Sequence, residues 1–373
     1  MSKTTHKIAH LTSVHPRYDT RIYLKECASL VKEGYEVHLV VADGKCNESI
    51  NQINIHDVGN ERGRFKRILN STRKIYQKAI DINCKLYHIH DPELIPIGLM
   101  LKRKGYKVIF DAHEDVPKQL LSKPYLNRFT SSMLSKVFLL FEKMVMKHFD
   151  CVVAATPSIA NKQLAYNEKV IEINNFPLPG ELSDDKPDWA LKKNKVCYIG
   201  GMSRIRGIQE IVDAMAHCTA TTQLSLAGKT NDKTLIGDIK SSKGWNNVEE
   251  LGFIDRNQAR ELLCESMAGI VTFLPLPNHI DAQPNKMFEY MSAGIPIIAS
   301  NFPLWNEIVE GNDCGICVDP ENPSEIAKAI DFIIANPDIA KQKGENGSRA
   351  VNNKYNWDIE ENKLYTAYRL LLS

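Results

Sequence analysis

The chain has 373 residues, 43% of them hydrophobic, with 47 basic side chains against 45 acidic ones. That length accommodates two domains of ordinary size. The even charge balance excludes a protein built mainly to hold nucleic acid, which needs a strong positive excess. No Gly/Ser- or Pro-rich tract interrupts the sequence, so it reads as globular throughout. Residues 1–6 are short and polar and run straight into a strand pattern, so no signal peptide is expected. The most apolar run, residues 137–141, is bounded by Lys136 and Glu142 and falls far short of the roughly 20 residues of a membrane span. The nine cysteines, an odd number and mostly scattered, point to reduced thiols and a cytoplasmic protein. Cys314 and Cys317 have no second pair and no nearby histidine to complete a zinc site, and read as strand residues.

In the first half, strands are expected at residues 8–11, 37–42, 53–58, 86–89, 108–110 and 151–155, with helical stretches between them. One helix is predicted over residues 20–33, ending before Gly34. Asp91-Pro92 supplies a cap and a first-turn proline for another, ending before Gly105. This alternation implies a parallel, doubly wound sheet, in which ligands gather at the carboxyl ends of the strands. After the first strand comes Thr12-Ser13-Val-His15-Pro-Arg17-Tyr-Asp19-Thr-Arg21, rich in groups suited to sugar hydroxyls or phosphates; Ser13, Arg17 and Arg21 are the acceptor-side candidates. Residues 62–78 form a basic stretch that reads either as a solvated helix face or as a surface for anionic lipid headgroups. His88 and His90 share a strand face, but the sequence names no third or fourth metal ligand. A polar strand end lining a cleft is expected, and no metal. The strand at residues 108–110 runs into Asp-Ala-His113-Glu-Asp.

A turn-rich, aperiodic segment from Phe176 marks the domain boundary, giving residues 1–180, residues 181–355 and a last helix within 356–373. The second alternation places strands at residues 196–199, 224–226, 248–251, 270–273, 295–299 and 316–318. Its first strand enters Gly200-Gly201-Met-Ser-Arg204-Ile-Arg206-Gly207, where glycines permit close backbone approach and a guanidinium can clamp a diphosphate. Further on stand Leu251-Gly-Phe253-Ile and then Asp281-Ala-Gln-Pro-Asn285-Lys286-Met287-Phe-Glu289. Asn285 is placed to cap a helix, Met287, Tyr290 and Met291 to form its core face, and Gly294 to end it in a left-handed turn. On spacing alone, Glu289 is either a solvated partner of Lys286 or a carboxylate that holds two hydroxyls beside an anion at the helix N-terminus.

The Asp281-to-Glu289 stretch resembles the acidic, seven-spacer, glutamate signature of the retaining glycosyltransferases of family 4, which have the GT-B fold. The resemblance extends to the Gly200–Gly207 turn, the Leu251–Ile254 turn, Pro303-Leu-Trp-Asn-Glu307, Gly315-Ile-Cys-Val318 and the His113 strand end. It implies two Rossmann-like domains facing a cleft, the last helix crossing back to the first domain. It also implies that Glu289 holds the donor ribose, that Arg206, Arg204, Lys286 and the helix N-terminus neutralise the leaving diphosphate, and that His113 faces the transferred sugar. Gly201, Gly207, Phe253, Asp281, Asn285 and Met287 complete the donor contacts. The sequence departs from the family pattern at Gly201, where an arginine usually stands, at Asp281 in place of a glutamate, and at Pro284 in place of a glycine. No glycine-rich loop follows the first strand.

The resulting expectation is a retaining, metal-independent glycosyltransferase without cofactor. It would use a nucleotide-sugar donor, of the UDP-sugar class, and a glycan or lipid-linked acceptor of cell-surface polysaccharide or O-antigen biosynthesis. It would sit in the cytoplasm, peripheral on the inner leaflet, and bind no nucleic acid. A sugar-nucleotide 2-epimerase on the same fold and a non-catalytic nucleotide-sugar-binding protein are the rivals. The first would convert a donor without acceptor, and the second would bind without turnover.

Overall fold

In the computed structural model, which describes residues 6–61, 63, 66–123, 126–180 and 188–373, the apolar runs of the sequence form two parallel sheets. The first contains β1 (Lys7–Leu11), β2 (Glu36–Val41), β3 (Glu48–Ile50), β4 (Ile53–Asp57), β5 (Leu86–Ile89), β6 (Lys107–Ala112), β7 (Cys151–Ala154) and β8 (Val170–Glu172). Their order is β3-β4-β2-β1-β5-β6-β7-β8, parallel except for the edge pair β3–β4. That hairpin was not expected from the sequence. Asn51 and Gln52 close it with φ of 50° and 62°, the left-handed pair that a tight hairpin turn requires.

The second sheet contains β9 (Lys195–Ile199), β10 (Gln223–Ala227), β11 (Val248–Gly252), β12 (Ala268–Val271), β13 (Ile297–Ser300) and β14 (Gly315–Val318), ordered β11-β10-β9-β12-β13-β14 and parallel throughout. Helices cover the faces of both sheets, which is why their central strands are buried along almost their whole length.

Two units result: Met1–Asn175 with Trp357–Ser373, and Phe176–Asn356. The first boundary falls earlier than the expected 180/181 because Phe176 is a core residue of the second unit, its ring 4.8 Å from Phe288 and 5.3 Å from Tyr355. The expected return of the last helix is present. Trp357 Nε1 donates to Ser29 Oγ (2.8 Å), and buried Glu360 accepts the Asn174 N–H (2.9 Å).

The predicted helix over 20–33 is in fact a π-helix, Thr20–Cys27, continued by an α-helix, Ala28–Lys32. Asp19 caps it, accepting from the N–H groups of Arg21 and Ile22. The π-helical segment buries Arg21, Lys25 and Glu26, charged residues that a simple amphipathic reading leaves in solvent. Cys317 lies in β14 and Cys314 immediately before it, both as free thiols. Among the described residues, no helix is long and apolar enough to cross a membrane.

Candidate active site

Each sheet gathers polar groups where its strand order reverses, the place at which doubly wound sheets bind ligands. In the second unit the reversal lies between β10, β9 and β12. There β9 ends in Gly200 (φ 139°), where a Cβ would stand 2.7 Å from Lys286 Nζ. Gly207 (φ 70°) has a similar reason to be glycine, since a Cβ would lie 2.0 Å from the Thr272 carbonyl oxygen.

The helix Asn285–Ser292 is seated by its apolar face. Met287, Tyr290 and Met291 are buried, and the Tyr290 hydroxyl accepts the Ile199 N–H at 3.0 Å. Gly294 ends it at φ 66°, as expected. Asn285, however, is the first helical residue rather than the cap. Pro284 holds the cap position, and it makes no side-chain capping hydrogen bond.

Lys286 is buried under this turn. Its Nζ lies 3.9 Å from the Tyr198 ring centre and 5.4 Å from that of Phe273, with no hydrogen-bond partner among the described residues. Arg206 approaches the same Phe273 ring at 5.7 Å while donating to the Gly201 carbonyl at 2.8 Å. Burial, reinforced by Arg206 and opposed by Glu289, lowers the Lys286 pKa to about 7. Two cations thus converge where the turn presents backbone, and a bound anion would relieve both. Half-buried Glu289 lines an adjoining recess of about 160 Å³ with Ile199, Ile254, Asp255, Arg256 and Tyr290.

Three expected donor residues are placed differently. Arg204 is exposed and paired with Asp238, near Asp232 and Thr234, so it does not join the clamp. Met287 is wholly buried in the core, which leaves only its backbone for a ligand. Phe253 is 71% exposed, its ring 5.1 Å from Lys229 Nζ beside the Gly252 turn. Asp281 is half-buried on the loop before the helix, and Trp305 steadies that loop by donating to the Ala282 carbonyl.

In the first unit the reversal lies between β2, β1 and β5. Asp91 holds the cap position before Pro92, as expected, but its side chain makes no capping hydrogen bond. Its buried carboxylate instead binds the first loop, accepting from Ser13 N (2.5 Å), Thr12 Oγ1 (2.9 Å) and Ser13 Oγ (3.1 Å), with His15 Nδ1 at 3.1 Å. Burial alone would raise the Asp91 pKa, but His15 and these donors bring it down to about 2. Ser13 is therefore committed to shaping the loop. So is Arg17, buried against Asp43 (2.8 Å), Glu48 (2.9 Å) and the Cys46 carbonyl. Arg21 is buried against Asp111 and the Ile173 carbonyl. These acceptor-side expectations fail because each guanidinium finds carboxylates that are distant in sequence.

His113 follows β6 and lies beside the first loop. Its Nδ1 is 3.5 Å from Asp111 Oδ2, and its ring meets His15 edge-to-face at 5.1 Å, a neighbour that spacing in the sequence does not reveal. Burial works against a charged His113, yet the Asp111 carboxylate raises its pKa. Both histidines line a cavity of about 1090 Å³ with Arg67 and Glu93 on one side and Val137, Phe138 and Phe141 on the other. The apolar wall belongs to the helix Arg128–Val145, which away from the cavity exposes Phe129 (79%), Leu140 (63%) and Met144 (67%). His88 and His90 do not line this cavity's polar rim as expected; both are fully buried beneath it.

Two doubly wound, mainly parallel sheets in series, the second carrying a cationic turn and a helix that bears Glu289, define the GT-B class. The profile of Glycosyltransferase Family 4 matches residues 21–176, and that of the glycosyl transferases group 1 matches residues 181–350. Sucrose-phosphate synthase from Thermosynechococcus elongatus shares the fold with a TM-score of 0.81 at 18% identity, over 98% of this chain and 99% of that one. The Anabaena protein HepE in complex with UDP-glucose gives 0.74 at 16%, over 98% and 99%. The Staphylococcus aureus capsular polysaccharide biosynthesis glycosyltransferase CapM is 22% identical over 258 residues, 63% of this chain and 66% of its own. Across the first curated relatives the matched stretch spans about half to two thirds of the relative's length. The chain belongs with the GT-B glycosyltransferases of the family 4 type.

Proposed function

We propose that the chain is a retaining glycosyltransferase that takes a sugar from a nucleoside-diphosphate-sugar of the UDP-sugar class and transfers it to a hydroxyl of a lipid-linked glycan. The observation that carries the donor reading is the buried Lys286 ammonium, unsatisfied among the described residues and set beside Arg206 over one aromatic ring. Preorganised cations in a water-poor site stabilise the charge that develops on a departing diphosphate and need no metal for that purpose. Glu289, in its recess, holds the ribose hydroxyls. As the bond from the anomeric carbon to the diphosphate breaks and the bond to the acceptor oxygen forms, the acceptor proton passes to the leaving phosphate. His113 serves the acceptor side with His15.

The UDP class rests on HepE, whose structure holds UDP-glucose. The lipid-linked surface-glycan acceptor rests on the apolar wall and exposed apolar side of the Arg128–Val145 helix, and on CapM. That helix is a better membrane-facing candidate than the basic stretch. Arg62 and Arg64 lie outside the described residues, while Arg67 and Lys74 are paired with Glu93 and Glu61.

The test is calorimetric screening of nucleotide sugars, then incubation of the best donor with lipid-linked and soluble acceptors and NMR of the product's anomeric centre. Retained configuration at the new linkage is expected. Inversion would remove the mechanism, and an epimerised donor without acceptor would replace the transferase reading with an epimerase.

A further inference from the structure

Beneath the first unit's cavity floor, β1, β5 and the π-helix bring His10, His88, His90 and Glu26 together, all fully buried. The register of the sheet arranges this. His10 and His88 are paired across β1 and β5, and His90, two residues on, points to the same face. One ligand atom from each of the four lies within 4.8 Å of the others. Glu26 Oε2 is 3.6 Å from His10 Nδ1, 3.7 Å from His90 Nε2 and 3.9 Å from His88 Nδ1, and the His10 and His90 nitrogens are 2.9 Å apart. A tetrahedral zinc ion with bonds of about 2.0–2.1 Å has ligand-to-ligand edges of about 3.3–3.4 Å, so modest side-chain shifts convert this set into a first coordination sphere.

Proton accounting points the same way. His90 Nδ1 faces Asp111 Oδ2 at 3.0 Å and so carries hydrogen, which leaves the Nε2 lone pair toward the cluster. This carboxylate–histidine arrangement is the one that orients metal-bound imidazoles. His10 Nε2 and His88 Nδ1 both contact the Tyr368 hydroxyl, at 3.1 and 3.0 Å, and that hydroxyl can donate to one ring while accepting from the other. Neither Glu26 oxygen has a hydrogen-bond partner among the described residues, and neither does His88 Nε2. The nearest cation to Glu26 is Arg21, whose Nε is 3.2 Å from Oε1 but which already serves both Asp111 oxygens. Burial makes Glu26 costly as an anion even with Arg21 beside it, and a metal cation shared with the three imidazole nitrogens would offset that cost.

We propose that His10, Glu26, His88 and His90 form a structural metal site that takes zinc. Three imidazoles and one carboxylate suit zinc rather than magnesium or calcium, and four protein ligands leave no open position for chemistry. The ion would tie β1, β5 and the π-helix together. Through Tyr368 it would also anchor the returning helix Trp357–Leu372.

The test is elemental analysis of tag-free protein from zinc-supplemented cells, after dialysis against zinc-free buffer. About one zinc per folded chain is expected, falling at least tenfold in His88→Ala and Glu26→Ala. Protein grown with cobalt instead should show the visible absorption of a tetrahedral cobalt centre, which requires no variant to fold. Zinc retained equally by the variants, or wild-type protein that carries neither zinc nor that cobalt spectrum, overturns the site.

Discussion

Lys286 Nζ stands 3.9 Å from the centre of the Tyr198 ring, on the residue that precedes the glycine turn by two positions. Among the described residues the ammonium has no hydrogen-bond partner, so until a ligand arrives it is held by the ring quadrupoles and the more distant Glu289 charge. With a pKa of about 7, this group makes donor binding pH-dependent. A diphosphate needs the charged form. Above pH 7 binding must take up a proton, and the Kd should rise about tenfold per pH unit until the pKa of the complex is reached. Calorimetry in buffers of different ionisation heat reads that uptake, and Lys286→Met should abolish it. Pure stability runs in the opposite sense. The unfolded lysine, near its ordinary 10.5, binds more protons than the folded one between about 7 and 10.5, so stability from this group rises with pH across that window.

Glu289→Ala should weaken donor binding by about 1.5–3 kcal/mol for each charge-assisted bond lost, roughly tenfold to a hundredfold in Kd. Because Glu289 is only half-buried, the melting temperature should hold. Unchanged donor affinity in the variant would remove the ribose assignment.

Arg206→Ala is expected to lower kcat by about 10²–10³, the scale of losing one preorganised charge stabiliser. Arg204→Ala, which breaks only an exposed pairing with Asp238, should leave kcat within about twofold. Equal losses in the two variants would mean that the turn acts as a whole rather than through one guanidinium.

Leu140→Ser with Met144→Ser removes two exposed apolar side chains from the Arg128–Val145 helix without touching its packed side. Each is worth up to about 1.5–3 kcal/mol when buried in a membrane interface. Co-sedimentation with anionic liposomes should therefore fall at least tenfold, while soluble-acceptor turnover is kept. Identical partitioning of wild type and variant would return this helix to the role of an ordinary surface.

Two glycines separate strain from collision. Gly252→Ala meets only an unfavourable φ of 66° with open space around it, and should cost about 1 kcal/mol. Gly207→Ala adds a 2.0 Å encounter with the Thr272 carbonyl, for about 2–4 kcal/mol in chemical denaturation. Similar losses at both positions would show that the turn can open to admit a side chain.

The strands were readable because buried parallel strands are apolar runs, and the Asn285–Ser292 helix because Met287, Tyr290 and Met291 keep its period. The termini of elements were less so: Pro284 took the cap that Asn285 was expected to hold, since proline fixes the backbone the entry needs. What spacing cannot show is which long-range partner captures a charge. Arg17 and Arg21 look like ligand-binding groups in a polar loop until Asp43 arrives from the loop after β2 and Asp111 from β6. The same limit hid Glu26 and His10 from His88, because a π-helix changes which side chains turn inward.

The return of Trp357–Ser373 to the first unit also orders events in time. During synthesis β1 to β8 leave the ribosome long before the segment that supplies Glu360 to the Asn174 amide and Tyr368 to His10 and His88. Until then those buried partners face solvent or one another, so the first unit must wait, incomplete, while residues 176–356 are made. A fragment ending at Asn175 would inherit that unfinished state permanently, because the first unit closes only after residues 176–356 have been made.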